Sequence, residues 1–162
     1  MGSLHNELLA QARLLATKEP KHPLQASLRR AVSAAYYSVF HLLVDAGGRS
    51  LTKPGDVKLR HQLQRAYNHG SMKLVCQNLN QLNPLVTFPL EPQLIGIANA
   101  FVNLQQARHD ADYDYSITFI RTDVLQKIAL ADTALLNWKA VRNTSNARAF
   151  LAALLLQRHW RG

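Results

Sequence analysis

The chain has 162 residues, 48% of them apolar, and carries 19 lysines and arginines against 10 aspartates and glutamates, a net charge of +9. That length suits a single helical domain over residues 1–162 around one core. The lone cysteine, Cys76, excludes an intrachain disulfide and fits a reducing compartment. The longest apolar run, Ala149 to Leu156, falls far short of the roughly 20 residues that cross a bilayer. The opening Met1-Gly2-Ser3-Leu4-His5-Asn6-Glu7 lacks the basic and apolar regions of a secretory signal. A cytoplasmic protein is therefore expected. The basic balance favours polyanions such as RNA, DNA or nucleotides; simple solubility or an acidic protein partner accounts for it equally well, since the basic residues are spread along the chain.

Helical periodicity dominates and no period-2 strand pattern appears, so the expected class is an all-α bundle. A first helix is predicted from about Ser3 to Thr17, with Ser3 as N-cap. Glu19-Pro20-Lys21-His22-Pro23 breaks it. A long second helix is predicted from about Pro23 to Ala46, with proline in its first turn and Gly47-Gly48 as its stop. Leu28, Val32, Ala35, Val39, Leu42 and Ala46 form its apolar stripe, widened by Tyr36, Phe40 and Leu43, which suggests a central helix. Asp56 is a cap for a third helix through Tyr67, and Ser71 a cap for a fourth that stops at Asn83-Pro84. A fifth helix is predicted from Glu91-Pro92 to about His109, striped by Leu94, Ile97, Ala98, Phe101 and Leu104. The acidic, aromatic segment 110–115 follows it. A sixth helix spans about Thr122 to Val141, and a seventh follows Ser145.

Arg108 lies seven residues after Phe101 and fourteen after Leu94, so a continuous helix puts it on the apolar stripe. An arginine there needs a partner, and Asp112 at i+4 can reach it if the helix continues. Two readings stand: an ion pair that pins the helix end, or an anion-binding arginine. On the second helix, Arg30, Ser33, Tyr37, His41 and Asp45 fall within roughly 120° of one another at 100° per residue. That stripe lines a pocket or a subunit interface, or it is a solvated face. The remaining histidines show no metal-ligand spacing beside a cysteine, Cys76 has no Cys–His signature, and neither metal nor cofactor is implied. The basic C-terminal third (Trp138, Lys139, Arg142, Arg148, Arg158, Trp160, Arg161) suits contact with nucleic acid, or core aromatics beside solvated charges.

Two segments together resemble the HEPN family. Leu28-Arg29-Arg30-Ala31-Val32-Ser33-Ala34-Ala35-Tyr36-Tyr37-Ser38-Val39-Phe40-His41 is similar to the Arg-Arg-Ala…Ala-Tyr-Tyr…Phe-His helix of HEPN-like bacterial proteins. Ala107-Arg108-His109-Asp110-Ala111-Asp112-Tyr113-Asp114 is similar to their Arg-x-x-Ala-Asp-Tyr element. The resemblance covers roughly residues 5–140. It implies a bundle of four or five core helices with short peripheral ones, paired into a homodimer. It also implies a toxin–antitoxin, defence or stress context, with a cognate antitoxin or nucleotidyltransferase as partner. Many such proteins are metal-independent ribonucleases whose Arg is followed after four to six residues by a His. Arg108 matches the arginine. Positions 113–115, where the histidine belongs, hold Tyr113, Asp114 and Tyr115. The resemblance thus implies a module that binds RNA, a nucleotide or a partner protein through Arg108, Asp112, Tyr113, Tyr37, His41 and Arg30. The alternative is a ribonuclease rearranged around Arg108 with His109 or His41. Arg65-Ala66-Tyr67-Asn68-His69-Gly70-Ser71-Met72-Lys73 is a further feature of the sequence to which no role is assigned.

Overall fold

The computed structural model describes residues 2–157, and among them the regular structure is entirely helical. Seven α-helices follow one another: α1 (Leu4–Ala16), α2 (Gln25–Ser50), α3 (Val57–Ala66), α4 (His69–Gln77), α5 (Pro92–Tyr113), α6 (Arg121–Val141) and α7 (Ser145–Leu156), with a short 3-10 turn at Leu79–Leu82 after α4. The all-α bundle expected from periodicity is the architecture found. Arg158, His159, Trp160 and Arg161 lie outside the described residues.

The long helix α2 organises the bundle. It packs against α1, α3, α5, α6 and α7. Its residues Leu28, Val32, Ala35, Tyr36, Val39 and Leu43 have no exposed surface. With side chains buried on several sides, it is a core element rather than an amphipathic surface helix. Across from it, Leu94, Ile97, Phe101 and Leu104 of α5 are equally buried, so the two stripes meet in one hydrophobic core. Among the described residues, no helix is long and apolar enough to cross a membrane.

Helix boundaries differ from the sequence expectation in α2, α4 and α5; α4 also ends at Gln77, ahead of the expected stop at Asn83-Pro84, and the 3-10 turn at Leu79–Leu82 takes up the remainder. α2 begins at Gln25, after Pro23, and does not stop at Gly47-Gly48; it runs on to Ser50. Neither glycine has a positive φ, so neither makes a left-handed cap. Both are buried where α3 and Tyr67 press against α2, and a Cβ at Gly47 would overlap the Tyr67 hydroxyl. These glycines serve close approach, not termination. α4 begins at His69, not after Ser71, because the Asn68 side chain accepts a hydrogen bond from the Ser71 amide at 3.1 Å and is the true N-cap. α5 continues past His109 to Tyr113.

The extension of α5 depends on Arg29. Its guanidinium donates to the carbonyls of Ala111 (2.9 Å), Asp114 (3.0 Å from both terminal nitrogens) and Ile117 (2.6 Å), with a longer contact to Asp110 at 3.4 Å. The last carbonyls of a helix have no intrahelical partner, and here one planar cation takes up that of Ala111 together with those of Asp114 and Ile117 just beyond the helix end. The same guanidinium lies 5.2 Å from the Phe119 ring centroid. Gln25, one turn earlier, exchanges a pair of hydrogen bonds with the Phe119 backbone, 2.8 and 2.9 Å. The N-terminal turns of α2 therefore hold down the whole segment from Asp110 to Phe119.

Candidate anion site around Arg108

The helical extension of α5 carries Asp112 to one turn beyond Arg108, and the two form an ion pair of 3.6 Å. This is longer than the roughly 2.7–2.9 Å of a tight charged hydrogen bond. Asp112 is more closely held by α2, where the Ser33 hydroxyl donates to Oδ1 at 2.6 Å. Arg108 keeps 15% of its side-chain surface. Its Nε is buried without a hydrogen-bond partner among the described residues. Its guanidinium carbon lies 5.3 Å from the centre of the Tyr36 ring, a cation–π contact. A mostly desolvated guanidinium whose terminal nitrogens make one long ion pair and no hydrogen bond among the described residues has binding capacity left over.

Tyr36 links Arg108 to a histidine. Its hydroxyl shares a 2.5 Å hydrogen bond with His69 Nδ1. The His69 ring stacks on Phe40 with centroids 4.1 Å apart, and Tyr37 meets it edge-on at 6.0 Å. Gln105, one turn before Arg108 on α5, donates to the His69 carbonyl at 3.2 Å. Its own Oε1 is buried and unpartnered. Burial holds His69 below the ordinary histidine pKa, and the nearby Arg108 and His41 push the same way. Burial likewise pushes the Tyr36 hydroxyl well above the usual phenol range, against the pull of Arg108. The site thus contains a cation, a neutral imidazole held at one nitrogen, and a protonated phenol in between.

The residues expected at this site divide. Arg108 and Asp112 pair, and Tyr37 stands beside them through Tyr36 and His69. Tyr113 does not join: it is 63% exposed and packs at 5.2 Å against His109, itself exposed on the outer face of α5. Arg30 is exposed, whereas its neighbour Arg29 turns inward to the end of α5. His41 is half-buried and lies next to Tyr37 and Phe40, with ring centroids 6.2 and 5.2 Å away. It lines a separate cavity with His5 and Asp45. Sequence reasoning did not assign Tyr36, which it read only as part of the α2 stripe, nor Gln105, nor His69. His69 lies within the unassigned 65–73 segment, and Asn68 as N-cap places it in the first turn of α4. Among the described residues no group of histidine, cysteine or acidic side chains is arranged to hold a metal ion.

Fold and site together describe an all-α bundle with a partly desolvated arginine–tyrosine–histidine cluster between its two central helices and α4. Comparison with protein-family models, with curated protein sequences and with solved structures gave no match.

Proposed function

We propose that this chain is a HEPN-like module that binds RNA, with a backbone phosphate held at Arg108. The observation that carries this reading is the state of that guanidinium: largely desolvated, fixed over Tyr36, and joined to Asp112 only at 3.6 Å, so that its terminal nitrogens make no hydrogen bond among the described residues. A phosphate oxygen supplies the charge-assisted acceptor those nitrogens lack; Nε, which is buried, is beyond its reach. The net charge of +9 favours the same class of ligand. The resemblance in residues 28–41 and 107–114 adds the expectation of a homodimer acting in a toxin–antitoxin, defence or stress setting, with an antitoxin or nucleotidyltransferase as partner.

A second reading, metal-independent RNA cleavage, is favoured by His69. The Arg-x-x-Ala-Asp-Tyr element lacks its own downstream histidine, and α4 carries one to the hydroxyl of the same Tyr36 whose ring Arg108 lies over. In the tautomer whose Nδ1–H donates to the Tyr36 oxygen, Nε2 carries the free lone pair and is the nitrogen available to a substrate. A neutral imidazole can take the proton of a ribose 2′-hydroxyl as the 2′-oxygen attacks phosphorus. As the bond from phosphorus to the 5′-oxygen breaks, the His69 imidazolium returns that proton to the departing 5′-oxygen, giving a 2′,3′-cyclic phosphate and a 5′-hydroxyl, while Arg108 offsets the charge developing on the phosphorane oxygens.

Both readings are tested by single-stranded RNA binding and digestion in EDTA, using the wild type, Arg108→Ala and His69→Ala, with thermal melts of each. Losing one charge-assisted contact worth about 1.5–3 kcal/mol weakens binding by roughly 10- to 150-fold, and Arg108→Ala should show this while still folded. A folded Arg108→Ala protein with undiminished affinity overturns the RNA site. Cyclic-phosphate ends made by wild type and absent with His69→Ala carry the cleavage reading. Intact RNA in every reaction removes cleavage and leaves binding.

A further inference from the structure

Two cavities adjoin along the C-terminal half of α2. The first, 510 Å³, lies among α1, α2 and α3 and is lined by His5, His41, Asp45, Arg49, His61 and Arg65, with Phe40 and Val44 as apolar wall. The second, 290 Å³, shares His5, Asp45 and Arg49 with the first and continues to Lys139 and Arg142 at the end of α6. The shared residues make the two one trench. His5 feels charges from this lining: burial holds it below its ordinary value, while Asp45 draws it up and Lys139 presses it down.

The charge in this trench is lopsided. Arg49, Arg65, Lys139 and Arg142 stand against a single carboxylate, Asp45. Asp45 is itself occupied, because Arg49 Nε donates to it at 2.9 and 3.1 Å. That pairing uses only Nε, and the terminal nitrogens of Arg49 make no hydrogen bond among the described residues. Each of the four cations sits in or just beyond the last turn of its helix, where it offsets the terminal carbonyls. The helix ends account for the sign of each charge separately. They do not account for three helix ends converging on one pair of cavities with a single acid between them. The trench also abuts the Arg108 site. Phe40, in its wall, stacks on His69, so one aromatic ring separates the two.

We infer that this trench is a track for the phosphodiester backbone of the same single strand whose phosphate Arg108 holds, an extension that rests on the RNA-binding reading above. A strand, unlike a mononucleotide, neutralises cations on α2, α3 and α6 together. Its affinity therefore falls steeply with salt as condensed counterions are released, with a slope of about 0.7 per phosphate contact on single strands. Arg65, Lys139 and Arg142 are exposed, and charge changes at such positions usually alter stability little.

The test is fluorescence anisotropy of a labelled 20-nucleotide single-stranded RNA from 50 to 300 mM salt. It uses wild type, Arg108→Ala, and a triple variant with Arg65→Glu, Lys139→Glu and Arg142→Glu, with binding of inorganic phosphate measured in parallel. Far-ultraviolet circular dichroism checks folding, and a triple Gln variant at the same positions replaces the Glu one should that fail to fold. The expected result is at least a tenfold loss of RNA affinity in the triple variant and a salt slope smaller by about 2, with phosphate binding unchanged. If the triple variant matches wild type in affinity and slope while Arg108→Ala is weakened, the track is wrong and the Arg108 site stands. An equal loss for inorganic phosphate makes the trench a free-phosphate site and overturns the track. A wild type that binds no RNA overturns both.

Discussion

Arg29 and Arg30 are adjacent, and only one of them matters to the fold. Arg29 gathers the carbonyls that end α5, and Arg30, about 100° around the helix, stays in solvent. Arg29→Ala should therefore destabilise the protein by about 2–4 kcal/mol, since several carbonyls lose a charged donor at once. Arg30→Ala should fall within about 0.5 kcal/mol of wild type. Urea denaturation of the two variants checks this, and equal stabilities would refute it. Arg108 was legible in the sequence because its position follows from helical arithmetic along α5, and Asp112 follows one turn later. His69 was not. It meets Tyr36 across 33 residues, through a placement of α4 that no local pattern encodes. Nor does local sequence tell Arg29 from Arg30, because the choice is made by carbonyls more than 80 residues away.

At the scale of elements, the Gly47-Gly48 pair is the instructive case. Consecutive glycines after a long apolar stripe read as a helix stop, yet α2 passes through them because α3 and Tyr67 need the room. In an exposed helix interior, Gly→Ala stabilises by about 1 kcal/mol. Here the two positions should differ in the size of the effect. At Gly47 the added methyl meets the Tyr67 ring and hydroxyl, and that hydroxyl is fixed by donating to the Leu151 carbonyl at 3.0 Å. Gly47→Ala should cost about 1–3 kcal/mol, as overpacking does. At Gly48 the nearest atoms are Gln64 Cγ at 2.8 Å and Arg60 Cγ at 3.0 Å, close to the roots of side chains whose tips are hydrogen-bonded, Arg60 to Thr52 and the Lys53 and Pro54 carbonyls and Gln64 to Asp45. Gly48→Ala should therefore also destabilise, by less than Gly47→Ala, about 0.5–1.5 kcal/mol. Thermal melts decide it; a stabilised Gly47→Ala would show that Tyr67 yields easily. The central pairing of α2 with α5, by contrast, was readable in advance, because the breadth of one stripe and the regularity of the other required a shared core.

For the whole molecule, three half-buried histidines shape the response to acid. His5, His41 and His69 are each held below the ordinary value of 6.5, in every case mainly by burial. Below pH 6.5 the unfolded chain binds protons that the folded protein refuses, so stability is full above that pH and declines as pH falls toward the folded values. The melting temperature should drop between pH 7 and pH 5.5, and His69→Gln should reduce the slope; a flat profile in the wild type would contradict it. His69 also lies in the field of Arg108, and a field of this kind acts in both directions. Any anion that seats on the guanidinium cancels part of the charge that keeps the imidazole deprotonated, so binding draws a proton onto His69. By reciprocity, protonation of His69 tightens the hold on that anion. The Tyr36 ring between them thus separates two halves of one thermodynamic cycle, in which ligand capture and proton uptake are the same event seen from either side.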